Sequence, residues 1–434
     1  MREGFETNGG FMPVRKLIAI FLIQFLILPG DGFPQNLDLS GGYRGEFEVG
    51  LTDSIYSDQH WVNLIYEKNF GMDASMHLDL EFNTYESDAL TSLFREAYLN
   101  YYTPNIDWRL GKQIISWGSS YLLGPTSYFS PYDLTVLNPG EKHMGVLAGT
   151  GTLYGPWRTE FSMVITPFFA THMQTPGSES AMLNHSIEQT IRSINRQIPL
   201  PGIRVVSDPQ QPVVPGSVRP TVENTQGGIK LTKRDLSGFD LSLSGYHGRD
   251  RFPVVDEEAT AGSFHIDPRS AAELDTLVTV HFTYPEVSRA GWDIIGGIGG
   301  IGVWLEGSYS MYRSGQLNDN LNLVVGADYK FKNDFYLMGQ AWYLGKRIDG
   351  EQEIRALLTR FSFPVYEFHS LEMVFLYDLE SQSYFLQPQL DYSLGNAVGL
   401  EIGGTLLEMG ESPYTPLIGK IMGDRFFTRL HIDF

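Results

Sequence analysis

Long segments in which apolar and polar residues alternate one by one constrain this chain more than any other feature of its sequence. In residues 72–82, apolar side chains at even positions alternate with polar or charged ones at odd positions. The same alternation recurs in 300–312, 320–331 and 398–406. A repeat of two residues is the signature of a β-strand with one apolar and one polar face. The chain is therefore predicted to be all-β.

The length of these segments separates two all-β classes. Most comprise about ten residues, which is what a tilted strand needs to cross a bilayer, whereas strands of globular proteins average about five or six. Aromatic residues gather near segment ends, as at Tyr101, Tyr102, Tyr154 and Trp157, where membrane proteins place them at the lipid headgroups. A soluble β-sandwich or propeller would also alternate, but no blade repeat is visible. The pattern favours a transmembrane barrel.

Short and long connections alternate along the chain, as in an antiparallel up-and-down barrel with turns at one rim and loops at the other. Long outer loops are predicted at 118–144, 168–226 and 248–272. If 274–284 and 288–297 are counted as two strands, the barrel has about 19 and a long loop lies on the turn side. Merging them into one strand from Asp275 towards Gly296 gives about 18, an even number. We therefore predict about 18 strands, with 16 as the alternative.

The amino-terminal segment predicts export. Arg15 and Lys16 precede an apolar run at 17–28, and Pro-Gly-Asp-Gly follows at 29–32. This order is typical of a signal peptide, and the run is shorter than the roughly 20 residues of a membrane helix. Residues 1–32 are predicted to be the signal peptide, with Met12 as a possible start, and 33–434 the barrel. An exported chain with membrane strands predicts the outer membrane of a Gram-negative bacterium.

The last segment, 424–434, alternates as well and ends on Phe434. It resembles the closing strand of bacterial outer-membrane proteins. In those proteins the terminal aromatic residue is part of the signal that the barrel assembly machinery recognises. The resemblance implies that this machinery and outer-membrane lipid are partners of the chain.

Composition excludes several other functions. The chain has no cysteine, which excludes disulfides, thiol nucleophiles and thiolate metal sites. Its net charge of -20 argues against a nucleic-acid partner. Metalloprotease and nucleophile-elbow motifs are absent from the sequence. No catalytic, metal or cofactor site is predicted, and the chain is not expected to be an enzyme.

If the apolar faces meet lipid, the opposite faces line the interior. More acidic than basic residues fall on these faces. The predicted interior acids are Asp73, Asp79, Glu81, Glu96, Glu160, Asp240, Glu306, Asp328, Asp391 and Glu401, and the bases are Arg109, Arg158, Lys230, Arg234, Lys330 and Arg429. Acidic rings favour cations in pores, so small neutral or cationic solutes are the expected cargo. Alternatively, these charges pair across strands and only hydrate the wall.

The tight turn at 103–105 allows one strand pairing to be derived. An antiparallel hairpin about this turn places Asn100 opposite Arg109 and Glu96 opposite Gln113, with all four side chains inward. A slip of one residue would turn all of them towards lipid.

Four short motifs around this hairpin carry a family resemblance. The sequence contains REAY at 95–98, RLGKQ at 109–113, SWG at 116–118 and SPYDL at 130–134. This set resembles a motif of uncharacterised porin-like outer-membrane proteins of bacteria. The resemblance implies a barrel fold and an outer-membrane location, and it implies no particular substrate.

Loop 118–144 is predicted to join the fifth and sixth strands, and in general porins the loop at that position folds into the lumen. The constriction candidates on and beside the loop are Trp117, Tyr121, Tyr128, Phe129, Tyr132 and Asp133. An outward loop capped by its own aromatics is the alternative. The predicted function is a passive channel for small solutes, and a homo-oligomer is possible. A non-conducting barrel for surface polysaccharide and an uptake channel for hydrophobic compounds remain alternatives.

Overall fold

A computed structural model shows one antiparallel sheet of 18 strands. The structure describes residues 39–51, 56–84, 90–122, 124–132, 143–170, 221–252, 254–255, 263–264, 276–277, 282–313, 315, 317–347, 353–366, 368–408 and 424–434. The predicted signal peptide lies outside these residues, as does most of the predicted loops 168–226 and 248–272. Within the described ranges, no helix is long and apolar enough to cross a membrane.

We number the barrel strands in chain order. They are β1 (Leu39–Gly50), β2 (Tyr56–Asn69), β3 (Ala74–Thr84), β4 (Leu90–Tyr102), β5 (Ile106–Gln113), β6 (Val146–Gly155), β7 (Thr159–Thr166), β8 (Gln226–Leu236), β9 (Phe239–Arg249), β10 (Glu286–Ile298), β11 (Ile301–Tyr312), β12 (Asn320–Lys330), β13 (Tyr336–Leu344), β14 (Ile354–Tyr366), β15 (His369–Asp378), β16 (Tyr384–Gly395), β17 (Val398–Glu408) and β18 (Arg425–Asp433).

Each strand pairs antiparallel with the next, and β1 pairs with β18 to close the barrel. The closing ladder runs from Gly42 opposite Asp433 to Gly50 opposite Arg425. Closure leaves no edge strand with unpaired backbone groups. The predicted antiparallel up-and-down barrel and its 18 strands are confirmed.

The predicted merged strand from Asp275 to Gly296 is wrong in its first part. The barrel strand β10 begins at Glu286, directly after Pro285. Proline has no backbone N–H to donate to a ladder, so it suits the position before a strand. The residues before it form two separate two-stranded ladders, in which Thr276–Leu277 pairs with Ser263–Phe264 and Phe282–Thr283 with Val254–Val255. The strand count is right because only β10 belongs to the barrel.

The outer face of the barrel is apolar. Outward side chains such as Leu99, Leu110, Leu243 and Val325 are more than half exposed, at 53%, 60%, 64% and 53%. A band of this size is far larger than the apolar patches that soluble monomers expose. It is the surface that a barrel presents to hydrocarbon.

Candidate functional site

The β4–β5 hairpin has the predicted register over the part that forms a ladder. Asn100 lies opposite Arg109, and the ladder ends at Ala97 opposite Lys112. Nε of Arg109 donates to Oδ1 of Asn100 at 2.8 Å. Trp108, next to Arg109, is exposed on the outer face, so Arg109 points inward. The structure therefore brings Asn100 and Arg109 together inside the barrel.

Glu96 and Gln113 also face the interior, but they bind different groups. Oε1 of Glu96 accepts the backbone N–H of Ile114 at 2.8 Å. Gln113 is buried and donates from Nε2 to the carbonyl of Ala148 at 3.0 Å. The hydroxyl of Thr150 donates to Oε1 of Gln113 at 3.3 Å. These bonds fix the end of β5, where the chain leaves the wall.

A β-bulge in β4 adds an inward charge that simple alternation misses. Asp79 lies opposite Glu96, but the next residue, Leu80, lies opposite Phe94. The extra residue, Arg95, turns inward, and its Nη1 lies 3.6 Å from Oδ2 of Asp79. A bulge breaks the period of two locally, so the pattern could not reveal it.

The chain after β5 crosses the barrel. We call residues 114–132 the interior loop. Its described residues are 114–122 and 124–132. Their main anchor is Glu306 of β11, whose Oε2 accepts the backbone N–H of Ser119 at 3.1 Å and of Ser120 at 3.0 Å. Oε1 accepts both the N–H and the hydroxyl of Thr126 at 2.7 Å. Glu306 is fully buried, and four donors compensate its charge for the loss of water.

A second anchor lies farther around the wall. The backbone N–H of Tyr121 donates to Oε1 of Gln340 at 3.0 Å, and Nε2 of Gln340 donates to the carbonyl of Tyr121 at 2.8 Å. The guanidinium of Arg360 lies 5.2 Å from the centre of the Tyr121 ring. The loop thus reaches from β5 to β13 and β14. The described residues of the loop therefore fold into the barrel, not outward.

Aromatic residues of the interior loop form a small core against the wall. The ring centres of Trp117 and Phe129 are 5.0 Å apart, and Tyr128 stacks on Tyr246 of β9 with ring centres 5.1 Å apart. The hydroxyl of Tyr128 lies 3.2 Å from that of Ser244. Burial raises the pKa of Tyr128 to about 12, which keeps this hydroxyl protonated. We call this cluster the loop core; its other members are Ile115, Val146, Ala148, Val164 and Val287.

The remaining loop candidates lie at its end. Tyr132 is buried, and its hydroxyl donates to the carbonyl of Leu122 at 3.1 Å. Asp133 lies outside the described residues. All the other candidates from Trp117 to Tyr132 pack within the loop or between the loop and the wall.

Two charged residues after β9 were missed by the sequence analysis, and one of them, Arg251, supports the loop. Arg251 is buried and donates to the backbone carbonyls of Tyr128 and Ser127. Burial lowers the pKa of Arg251 to about 10, so it stays charged at neutral pH. Asp250 lies 3.1 Å from Nη2 of Arg289. Both residues fall in the predicted loop 248–272, and the sequence carries no signal that they reach inward.

The opposite wall, formed by β15–β18 and β1–β3, is lined by ion pairs. Nε of Arg429 lies 2.5 Å from Oε2 of Glu46, and its Nη1 lies 3.1 Å from Oε2 of Glu401. Arg425 pairs with Glu48 at 2.9 Å, and at the border with the loop-covered half Glu372 pairs with Arg360 of β14 at 2.6 Å. We call this half the paired wall. Here the alternative in which charges pair across strands is correct.

Other predicted interior residues lie near the turn rim. Nε of Arg234 is 2.6 Å from Glu160, and its Nη1 is 2.8 Å from Asp240. Arg158 pairs with Asp235 and Lys330 with Asp334. Nζ of Lys230 instead donates to the carbonyl of Trp117 at 2.5 Å. No group of three or more potential metal ligands occurs among the described residues.

No family model and no curated protein matches the chain. Among solved structures, it is similar to the trimer form of OmpT, an outer membrane protein of Vibrio cholerae, with 9% identity and a TM-score of 0.43. This alignment covers 92% of this chain and 99% of that one. It is also similar to mutants of the Rh. blastica porin, at 12% and 13% identity and a TM-score of 0.42. These alignments cover 92% of this chain and 100% of each porin chain.

Proposed function

We propose that the chain forms a channel in the outer membrane of a Gram-negative bacterium, through which small solutes diffuse, neutral and cationic ones in preference. The observation that carries this proposal is the interior loop, anchored across the barrel by Glu306. A loop that packs against one half of the wall leaves the charged half as the path for solutes. The charged half supplies the polar lining that a selective pore requires.

The membrane location rests on the apolar outer face. Barrels that span lipid alternate outward apolar residues with inward polar ones, and this chain does so on its described strands. The signal-peptide pattern and the carboxy-terminal Phe434 support export and assembly in the outer membrane. Recognition of the closing strand by the assembly machinery and formation of a homo-oligomer belong to the same proposal.

The preference for neutral and cationic solutes rests on interior acids without a basic partner. Asp391 accepts bonds from Ser370 at 3.2 Å and Gln389 at 2.9 Å. Asp328 accepts a bond from the hydroxyl of Tyr336 at 2.9 Å. Neither carboxylate lies within ion-pair distance of a cation among the described residues. An unbalanced negative charge inside a pore attracts cations and repels anions.

Conductance of the purified protein in a planar bilayer under a salt gradient tests both parts of the proposal. We expect open channels whose reversal potential shows cation preference. A reversal potential of the opposite sign would contradict the selectivity. Complete absence of conductance would contradict the channel itself and favour the non-conducting barrel that binds surface polysaccharide.

A further inference from the structure

Arg109 differs from the other described arginines in its surroundings. Every other arginine except Arg251 has a carboxylate within 4.0 Å among the described residues. Arg251 is buried and uses backbone carbonyls of the interior loop. Arg109 is partly exposed, and no carboxylate of the described part of the chain lies at this distance from it. It is therefore an inward cation that can still accept an anionic partner.

The side chain of Arg109 is nonetheless held in place. Its Nε donates to Asn100, and Nδ2 of Asn100 donates to the hydroxyl of Ser75 at 2.9 Å. Its guanidinium lies 4.1 Å from the centre of the Tyr98 ring. These contacts use Nε and one face of the group. Nη1 and Nη2 donate to no other described residue, so the end of the fork faces the interior.

A carboxylate is the group that this arrangement suits. The two Nη groups of an arginine match the two oxygens of a carboxylate in a bidentate pair. Fixing the guanidinium beforehand reduces the entropy lost on binding. Ser75, Asn100 and Tyr98 do this without neutralising the charge.

The neighbouring wall is negative, which narrows the class of solute. The ring of Tyr98 also stacks on His77 at 4.9 Å. Nδ1 of His77 lies 3.1 Å from Glu67, and its Nε2 lies 4.0 Å from Glu96. The rings of Tyr98 and His77 lie between Arg109 and these acids, so a molecule that places its carboxylate on Arg109 reaches the acids only if its other end extends past both rings. An ammonium group at that end is attracted there, whereas a second carboxylate is repelled.

We propose that Arg109 binds the carboxylate of small zwitterionic solutes, with the acids beside His77 attracting their ammonium group. This proposal rests on the proposed channel function, because it names the solutes that the channel takes. It also explains how a pore that disfavours net anions could select molecules that contain a carboxylate.

Binding can be measured separately from conduction. Saturation-transfer NMR on the protein in detergent micelles would use 6-aminohexanoate, hexanoate and hexylammonium as probes, because the two charges of the first are far enough apart to reach past both rings. We expect 6-aminohexanoate to bind more tightly than either singly charged probe. Arg109→Gln should weaken 6-aminohexanoate binding by about tenfold, since a bidentate charged pair is lost. Arg109→Lys should recover only part of the affinity, because lysine cannot form the fork.

Arg44→Gln is the matched control. Arg44 is also inward and is 41% exposed, but it is already paired with Glu46. Its replacement removes the same charge from the interior but leaves the Arg109 site intact. Binding of 6-aminohexanoate should therefore stay within about twofold of the parent. Equal weakening in both variants would show a general charge effect and overturn the assignment to Arg109, as would unchanged binding in Arg109→Gln. Binding without conductance would leave this site standing and contradict the channel.

Discussion

The two halves of the barrel interior accommodate inward side chains in different ways. On β6–β14, the interior loop covers the wall, and aromatic and aliphatic residues form the loop core around Tyr128 and Trp117. On the paired wall, carboxylates and guanidinium groups such as Glu46 and Arg429 bind one another. The first half resembles the core of a soluble protein, and the second a hydrated polar lining.

This difference shows where apolar inward residues and where charged inward residues are stable inside a barrel. Apolar inward residues such as Val324 and Leu358 would be exposed to water in an open pore, and Tyr121 and Leu122 of the loop pack against them. On the paired wall no described loop segment provides such cover, so charged residues that pair and hydrate are suitable there. Under the proposed channel function, the loop leaves the paired wall as the side along which solutes pass.

The largest expected effect comes from releasing the interior loop with Glu306→Gln. Each oxygen of Glu306 accepts two donors, whereas an amide presents an NH2 group on one side. The two donors on that side would then face the NH2 group, which is itself a donor. Each lost hydrogen bond to a charged group costs about 1.5–3 kcal/mol. We expect single-channel conductance to rise about twofold or more as the path widens.

A reporter on the wall distinguishes loop release from a change of charge. Ala148 is buried beneath the loop core, and the chain has no cysteine of its own. Ala148→Cys should react with a thiol reagent only when Glu306 is also replaced. Glu401→Gln removes the same charge from the paired wall and should leave the labelling slow. Slow labelling in the Glu306 variant would refute its role as anchor.

The next largest effect is expected on the paired wall, from Arg429→Gln. The change leaves Glu46, which is buried, and Glu401 without their shared cation. Removing one partner of a buried ion pair costs about 3–5 kcal/mol. Urea unfolding from micelles should show this loss, while labelling at Ala148→Cys stays slow. Fast labelling would mean that the two halves are not independent.

Tyr128→Ala tests the apolar half. Tyr128 is only 1% exposed and lies at the centre of the loop core. Truncating a buried aromatic side chain to alanine costs about 3–5 kcal/mol, and here the cost should fall on the docking of the loop. We expect fast labelling at Ala148→Cys with little change in the global unfolding midpoint. Tyr128→Phe, which loses only the bond to Ser244, should cost about 1 kcal/mol.

Local patterns and one turn were enough to predict the barrel. Alternation fixed which face of each strand meets lipid, and the turn at 103–105 set Asn100 opposite Arg109, as the ladder shows. Alternating connection lengths led to an even strand number, even though the bounds of β10 were wrong. These features depend on residues that are close in the sequence, so the sequence alone can reveal them.

The contacts of the interior loop could not be predicted in this way. Glu306 was expected to face inward, but its partners Ser119 and Thr126 lie far away in the sequence. Arg251 and Asp250 lie in a stretch without alternation, and the bulge at Arg95 shifts the strand by one residue. Each depends on how distant segments meet in three dimensions, which period and spacing do not encode.

The smallest effect is expected from Asp250, beside the loop core, whose contribution to the free energy of unfolding should hardly change within the ordinary pH range. Burial alone would raise the pKa of Asp250, but the guanidinium groups of Arg289 and Arg347 and the hydroxyl of Tyr312 together hold it below its usual value of 3.8. A depressed pKa in the folded state means that the ionised carboxylate stabilises the fold above pH 3.8, and that this contribution is lost as the pH falls through the folded pKa.

We therefore expect the free energy of unfolding of the parent and of Asp250→Asn to differ by a constant amount from neutral pH down to mildly acidic pH. The difference should shrink only below the ordinary carboxyl pKa, because the parent then gains the proton that the variant never needs. Urea unfolding at a series of pH values measures this difference. A difference that already shrinks near neutral pH would mean that Arg289 and Arg347 do not hold Asp250 ionised.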